Sequence, residues 1–423
     1  MQIKNGLSVS KNTAILKGKI ILPSSKSISN RVLLIRALCS QPFNIENLSE
    51  SSDTQILEHI LNTTFLDKSL NVFDVKDAGT PYRFLTAYFA TKKNKKFLLN
   101  GTERMKQRPI ETLVNALKQL GAQIKYVEEN GYPPLLIEGN FLNQDEAVEM
   151  DTSLSSQFVS ALCLIAPTLE NGLKLKLIGS RVSESYTRMT LELMKQFGIK
   201  IQSSEQEIAI KNQAYQSKLF YVENDWSSAC FFYAMAIVSE DAELIFSNLH
   251  KDSLQGDSEI VEIAKRFGIQ TFFEKNEVRL IKTQNVNDYS DILDLSSYPD
   301  MAVPLIVAFA MRYPQIQLAG LSHLQHKESD RIFVLQRELK KVHIYLHFQN
   351  GVLQFENSMY KKQHKKIYFK TYQDHRIAMA LSLFSIDGYE VVLDTPKCVS
   401  KSFPTYFDEL KKIGFEIGQV KLF

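Results

Sequence analysis

The segment PSSKSISNRVLLIRAL, from Pro23 to Leu38, sets Lys26 and Arg31 among Ser24, Ser25, Ser27 and Ser29, directly ahead of an apolar run. Serine at a helix start can simply cap orphan N–H groups. The same residues also make an anion site, because exposed amides, the positive end of a helix dipole, hydroxyls and flexible cations act together there. Recurrence favours the second reading. Gly79 and Thr80 precede Pro81 and Arg83 in DAGTPYRFL, and Arg104, Lys106 and Arg108 crowd ahead of Pro109 in RMKQRPI. Ser155, Ser156 and Gln157 open another apolar helix in SLSSQFVSAL. In HKESDRIFVL, Lys327 and Arg331 stand four apart, a spacing that puts both on one helical face beside Glu328. Asp374, His375 and Arg376 head DHRIAMA, and Lys397 and Lys401 lie in KCVSKSFPTYF. A lone surface cation is ordinary, and an i,i+4 pair can serve helix stability alone. Together these segments predict helix N-termini converging on a cleft that traps anions. Two phosphates at roughly −1.5 to −2 each, with two carboxylates, call for about six compensating charges. Lys26, Arg31, Arg83, Arg108, Lys327, Arg331, Arg376 and Lys401 are enough to supply them.

The elements that must carry these residues repeat along the chain. An amphipathic helix, a glycine, a short strand and often a second strand recur in LKQLGAQIKYVEENGYPPLLIEG, LMKQFGIKIQSSEQEIAIKN, IAKRFGIQTFFEKNEVRLIK and LKKIGFEIGQVKLF. LKKVHIYLHFQNGVLQFEN is a weaker copy, with His343 in the glycine position. Gly121, Gly198, Gly268 and Gly414 stand where a helix C-cap wants positive φ. The tips EENG and QNG suit hairpins. The spacing, about 70 to 77 residues, is too long for a common solenoid and predicts strand–helix–strand units grouped in two lobes. Six such units would fill the chain. The first is hard to see, although TQILEHILN supplies its helix.

Bulk properties narrow the function classes. The 423 residues suggest more than one core, and 44% hydrophobic with 23% charged residues describes a globular protein. A net charge of +3 argues against a broad nucleic-acid footprint, so cationic sites must be local. Cys39, Cys163, Cys230 and Cys398 lie far apart without a CxxC pair, which fits a reducing compartment and neither structural zinc nor a disulfide framework. The start, MQIKNGLSVS, lacks a signal-peptide core, and the longest apolar run, Met301 to Met311, is about half a bilayer span. A cytosolic protein is expected. Neither GxxxxGK[ST], a strand followed by GxGxxG, nor HExxH occurs.

LPSSKSISNR, DAGTPYRFL, RMKQRPI, SLSSQFVSAL, KESDR, DHRIAMA and KSFPTYF, in this order, resemble the 5-enolpyruvylshikimate-3-phosphate synthase family. The resemblance runs from about Pro23 to the C-terminus. It implies an α/β, two-lobed fold of six repeated βαββαβ units, three per lobe, with the active site in the interdomain cleft. The first lobe would span 23–224 and the second, discontinuous, 1–22 and 225–423. The implied reaction transfers the enolpyruvyl group of phosphoenolpyruvate to the 5-hydroxyl of shikimate 3-phosphate, releasing phosphate, in aromatic amino-acid biosynthesis. No cofactor or metal, no nucleic-acid or membrane partner, and a monomer are implied. By similarity, Lys26, Ser27, Arg31, Ser155, Ser156, Gln157, Ser183 and Tyr186 hold shikimate 3-phosphate, with Lys327 on the same side. Lys26 and Gln157 also touch phosphoenolpyruvate. Gly79, Arg108, Arg331, Arg376 and Lys401 match phosphoenolpyruvate-binding positions, and Arg83 a nearby basic one. Asp300, in YPDMAV, and Glu328 match the acid/base carboxylates. Asp300 would take the hydroxyl proton and Glu328 protonate the methylene, with Lys26 assisting. Two carboxylates in different surroundings can hold the different protonation states this requires.

Three positions depart from the family pattern: Asp77 for a common Asn, Phe84 for a common Pro, and His323 where Asn often contacts shikimate phosphate. Two other readings stay open at this stage. The sister carboxyvinyl transferase acting on UDP-N-acetylglucosamine uses a loop cysteine, whereas all four cysteines here read as buried thiols. A non-catalytic anion- or RNA-end-binding protein would need the cations without Asp300 and Glu328.

Overall fold

The computed structural model describes residues 4–66, 69–140, 142, 146–275, 277–283, 292–357 and 359–422. The chain divides into two compact units. One joins the segment ending at Pro23 to everything from Glu223 onward, and the other is Ser24–Val222. The fold is α/β, and one strand pattern recurs in both units.

Each complete repeat is a four-stranded sheet in which a parallel pair is extended by an antiparallel hairpin. In Ser24–Val222 the order is Leu70–Asp74, Lys96–Asn100, Leu135–Glu138, Gln123–Tyr126. A second sheet there orders Val148–Asp151, Leu173–Ile178, Glu207–Ile210, Ile201–Ser203. The other unit repeats the order with Ile15–Ile20, Asp241–Ser247, Glu277–Lys282, Ile269–Phe273. It does so again with Ile292–Asp294, Gln317–Ala319, Val352–Glu356, Tyr345–Gln349. Its third sheet orders Lys366–Phe369, Glu390–Leu393, Lys4–Ser10, Glu416–Leu422. There the N-terminal strand takes the hairpin position that the chain's own continuation fills elsewhere. The sixth repeat, faint in the sequence, is reduced among the described residues to the parallel pair Ile45–Glu46 and Phe220–Tyr221.

Local chemistry explains the elements. Leu173–Ile178 reads LKLKLI, and its apolar side chains alternate toward the core as a half-buried strand requires. Trp226–Val238 and Pro299–Arg312 are almost continuously apolar and pack on one another, so both are core helices with scarcely any exposed face. The expected C-cap glycines take φ of 94° at Gly121 and 86° at Gly198; His343, in the weak copy, adopts the same left-handed turn at φ 60°.

This repeat decides where chemistry can sit. A strand ends, a loop of four or five residues follows, and the next helix begins: Leu70–Asp74 leads to Gly79–Ala90, Val148–Asp151 to Ser156–Ile165, Ile292–Asp294 to Pro299–Arg312, and Lys366–Phe369 to His375–Leu381. Gly79, Ser156, Asp300 and Arg376 therefore occupy equivalent first turns, where backbone N–H groups have no partner inside the helix.

Candidate functional site

Within Ser24–Val222, the organising side chain is Arg31. It is 2% exposed. Its Nε donates to Thr190 Oγ1 at 2.7 Å, Nη1 to the Ser27 carbonyl at 2.9 Å, and Nη2 to Ser160 Oγ at 3.3 Å and the Tyr186 carbonyl at 3.2 Å. Every one of these acceptors is neutral, and among the described residues no carboxylate pairs with Arg31. Burial pulls its pKa down to about 10, partly opposed by Tyr186, so it remains a cation at neutral pH. A buried cation with only neutral partners is costly unless an anion joins it. The rings of Tyr186 and Phe84 lie 5.8 and 5.6 Å from the guanidinium. Phe84, one of the departures, thus supplies an aromatic face to this cation.

The residues of the opening motif divide their labour. Ser25 caps helix Lys26–Leu38 by accepting from the Ile28 amide, while Lys26 is ion-paired with Asp53 at 3.3 Å. Ser155 caps helix Ser156–Ile165 through the Gln157 amide at 3.3 Å, and Gln157 Nε2 donates to Thr80 Oγ1 at 3.1 Å. Ser156, buried, is the first residue of that helix. Ser183 stands at the N-cap position of the helix carrying Tyr186 in a left-handed conformation, φ 58°, without a side-chain capping bond. For a buried serine such a backbone costs roughly 1–3 kcal/mol, which marks a position fixed by its surroundings.

Around Gly79 the backbone is laid open to arginine. The Arg108 guanidinium lies against its Cα, so that a Cβ would meet Nη1 at 2.5 Å. Arg83 reaches back to the Gly79 carbonyl at 3.2 Å and to that of Pro109 at 3.3 Å. Asp77, another departure, accepts a short hydrogen bond from Thr102, the cap of helix Glu103–Lys106.

In the unit beginning at Glu223, charges form one connected network. Arg331, 1% exposed, donates from Nε to Asp374 Oδ2 at 2.9 Å and from Nη2 to Glu328 Oε2 at 2.9 Å. Its Nη1 lies 3.7 Å from Asp300 Oδ1 and makes no hydrogen bond. Burial works against its charge, but Asp374 and Glu328 more than offset this and raise its pKa. Arg376 Nη2 meets Asp300 Oδ2 at 2.8 Å, and Lys401 Nζ stands 3.7 Å from Glu328 Oε1. Asp374 also takes Ser329 Oγ at 3.0 Å and caps helix His375–Leu381 through the Arg376 amide at 3.0 Å. Tyr372 and Gln373, both left-handed at φ 52° and 56°, deliver it there.

The structure thus gathers Asp300, Glu328, Arg331, Arg376 and Lys401 in one unit. In the other it gathers Ser27, Arg31 and Tyr186 on one guanidinium, and Gly79, Arg83 and Arg108 beside Thr80 and Gln157. Two expectations need correction. Lys327 and Arg331 do not share a helical face, because Asp330 caps a helix that only begins at Arg331 and leaves Lys327 in extended backbone. Cys163 and Cys230 are buried, but Cys39 and Cys398 are partly exposed. Burial nevertheless pushes the Cys163 and Cys398 thiols up to about 12, which leaves them protonated. Sequence reasoning missed Asp53, the partner of Lys26, and the pairing of Asp374 with Arg331. A capping aspartate between two arginine-bearing helix starts was the available signal.

Comparison with known proteins bears on the chain as a whole. A family model described as EPSP synthase (3-phosphoshikimate 1-carboxyvinyltransferase) matches residues 10–410. A 3-phosphoshikimate 1-carboxyvinyltransferase of Bacteroides fragilis is 41% identical over 404 residues, covering 95% of this chain and 96% of its own. One from Buchnera aphidicola is 35% identical over 430 residues, covering 94% and 95%. Among solved structures, the EPSP synthase of Acinetobacter baumannii superposes with a TM-score of 0.74 at 20% identity, covering 98% of this chain and 100% of that one. The enolpyruvyl transferase NikO of Streptomyces tendae reaches 0.75 at 13% identity with 100% of both chains covered. At such identities the structural likeness speaks for the fold.

His323 is the remaining departure. It is 5% exposed, and burial, then Lys327 and Arg331, lower its pKa to about 3. A backbone hydrogen bond with Gly320 acts the other way, and Nε2 is buried without a partner. The unfolded imidazole takes a proton near pH 6.5, the folded one only near 3. The stability tied to its neutral form is therefore complete above pH 6.5 and is lost as pH falls toward 3. Compared with His323→Asn in urea titrations, the parent should lose stability between pH 6.5 and 4 with a differential slope approaching ~1.4 kcal/mol per pH unit. Parallel stability curves would contradict this assignment.

Proposed function

This chain belongs to the EPSP synthase (3-phosphoshikimate 1-carboxyvinyltransferase) family, and we infer that it moves the enolpyruvyl group of phosphoenolpyruvate onto the 5-hydroxyl of shikimate 3-phosphate. Phosphate leaves in an addition–elimination within the shikimate pathway. The observation that carries the residue assignment is Arg331, one buried guanidinium that binds Glu328, lies 3.7 Å from Asp300 and keeps a hydrogen-bond donor unused. Such a donor is expected to meet an anionic ligand.

In this reading shikimate 3-phosphate brings Arg31 the negative charge it lacks, assisted by Lys26, Ser27, Ser155, Ser156, Gln157, Ser183 and Tyr186, with Lys327 beside them. Phosphoenolpyruvate is held by Arg108 against Gly79, by Arg331, Arg376 and Lys401, and by the shared groups Lys26 and Gln157, with Arg83 bracing the Gly79 turn. Asp300 accepts the 5-hydroxyl proton as oxygen attacks C2. Glu328 delivers a proton to the methylene, and elimination returns that proton as phosphate departs. Lys26 assists proton transfer. The two carboxylates have different companions: Arg376 is closest to Asp300, whereas Glu328 lies against Arg331 and Lys401. Different electrostatic surroundings let one act as base while the other acts as acid. The arginines stabilise charge on the leaving phosphate without reorganising. Among the described residues no helix is long and apolar enough to cross a membrane, and the reading is of a monomeric cytosolic enzyme.

Phosphate release on mixing the two substrates tests the reaction; none at any enzyme concentration contradicts it. In that assay Glu328→Gln should lower kcat by at least about 10³, within the range for losing a proton donor, while shikimate 3-phosphate still binds in calorimetry. Near-parent turnover would remove Glu328 from the mechanism. Gly79→Ala should fold, since the atoms its Cβ would approach most closely all belong to the flexible end of Arg108. The displaced guanidinium should raise KM for phosphoenolpyruvate about tenfold, equivalent to ~1.4 kcal/mol, with kcat little changed; an unaltered KM would contradict that placement.

A further inference from the structure

The helix that holds Arg31 borders a cavity with another of its faces. Along Glu184–Gln196, Tyr186 and Thr190 are the residues that approach Arg31. Glu184, Thr187, Arg188, Leu191 and Glu192, spaced three and four apart, form a different face and line a cavity of about 270 Å³. The facing wall comes from helix Ser156–Ile165 and two strands of the sheet beneath, through Val159, Leu177 and Ile208. Val159 and Ile208 are 1% and 2% exposed, so the cavity floor is part of the apolar core.

Two arginines with binding capacity left over stand around this floor. Arg181 lines the cavity and gives Nη1 to Glu184 at 2.6 Å, while its Nη2 is buried without a hydrogen-bond partner. An unmet buried donor is unfavourable, and an acceptor entering the cavity removes that cost through a small swing of the guanidinium. The side chain is 26% exposed, which leaves room for the swing. Arg188 is exposed and, among the described residues, enters no ion pair or hydrogen bond. The acidic lining is already engaged, Glu184 with Arg181 and Glu192 with Lys195 at 2.7 Å. The lining therefore suits one added negative charge, whereas a dianion would meet the two glutamates.

We propose that this cavity is a binding site for a small monocarboxylic acid built on one aromatic ring. The ring covers Val159, Leu191 and Ile208, and the carboxylate takes Arg188 and the open Nη2 of Arg181. A single rigid ring offers much apolar area with few rotatable bonds, which suits a cavity just below the usual size for drug-sized ligands. Charge-assisted hydrogen bonds from the guanidinium groups fix its direction. The site is distinct from the one assigned to shikimate 3-phosphate, because Arg31 and the cavity meet different faces of helix Glu184–Gln196. Ser156 alone is shared between the cavity lining and that substrate set. The proposal does not depend on the reaction assigned above.

The probe is 4-fluorophenylacetate, followed by fluorine NMR with the full chain. It should bind with a Kd of about 1 mM, ordinary for a ligand of about ten non-hydrogen atoms. No binding at about twenty times that concentration overturns the proposal. The uncharged 4-fluorophenylacetamide should bind at least about tenfold more weakly, and equal binding contradicts the role of the arginines. Joint replacement Arg181→Gln and Arg188→Gln should raise the Kd of the acid about tenfold in a protein that unfolds cooperatively like the parent. If that variant does not fold, Ser203→Trp replaces it, since Ser203 is an exposed lining residue and an indole there fills the cavity. An unchanged Kd in the variant used removes the probe from the cavity and sinks the proposal. Saturating shikimate 3-phosphate should leave the Kd within about twofold, and displacement would place the probe at Arg31 instead. If shikimate 3-phosphate itself neither binds nor turns over, the substrate assignment fails and the variants still decide the cavity.

Discussion

A single guanidinium governs half of the chemistry. Arg331 is sealed from water, and its charge is tolerable only because Asp374 and Glu328 hold it at 2.9 Å each, with Asp300 at 3.7 Å. Desolvating an ion costs several kcal/mol that only close partners can return. The geometry of those carboxylates is consequently fixed by the arginine as firmly as the arginine is fixed by them. Asp374 ties the assembly to the backbone, because the same carboxylate caps the helix that begins with His375 and Arg376. Arg376 in turn holds Asp300. One closed circuit therefore joins three helix starts and the loop preceding one of them, and it orients the two carboxylates to which the proposed function gives the proton transfers.

The other unit uses an opposite arrangement. Arg31 is as deeply buried as Arg331, yet its partners are hydroxyls and carbonyls that leave its charge uncompensated. Under the proposed function, Arg331 presents carboxylates for proton transfer and Arg31 presents positive charge for a phosphate. Both arrangements grow from one device, a strand leading by a short loop into a helix whose first turn lacks internal partners for its amides. Repetition of that device within both units gives one chain several helix starts with open amides, without any special loop for each.

This explains what the sequence made legible. Positive φ after a helix leaves a local mark, so Gly121, Gly198, Gly268 and Gly414 betrayed the repeat before any tertiary information was used. The sixth repeat was faint because its sheet retains only two-residue strands at Ile45–Glu46 and Phe220–Tyr221, too short to show alternation. Site residues were legible through their motifs, since each lies within a few residues of the cap that positions it. Their partners were not. Asp53 pairs with Lys26 across 27 residues and Asp374 with Arg331 across 43, separations over which spacing carries no signal. Reading Lys327 and Arg331 as one helical face failed for a local reason: Ser329 and Asp330 break the run, and Asp330 starts the helix afresh.

The central claim is that Asp374, which is assigned no contact with substrate, holds Arg331 in the pose that organises both acid/base carboxylates. Turnover by Asp374→Asn measures this most directly, because the amide keeps the side-chain shape and removes the charge that anchors the guanidinium. The account predicts a cooperatively folded protein that still binds shikimate 3-phosphate but whose kcat falls about a hundredfold, or ~2.7 kcal/mol of transition-state stabilisation. A folded variant with the parent's kcat would contradict it.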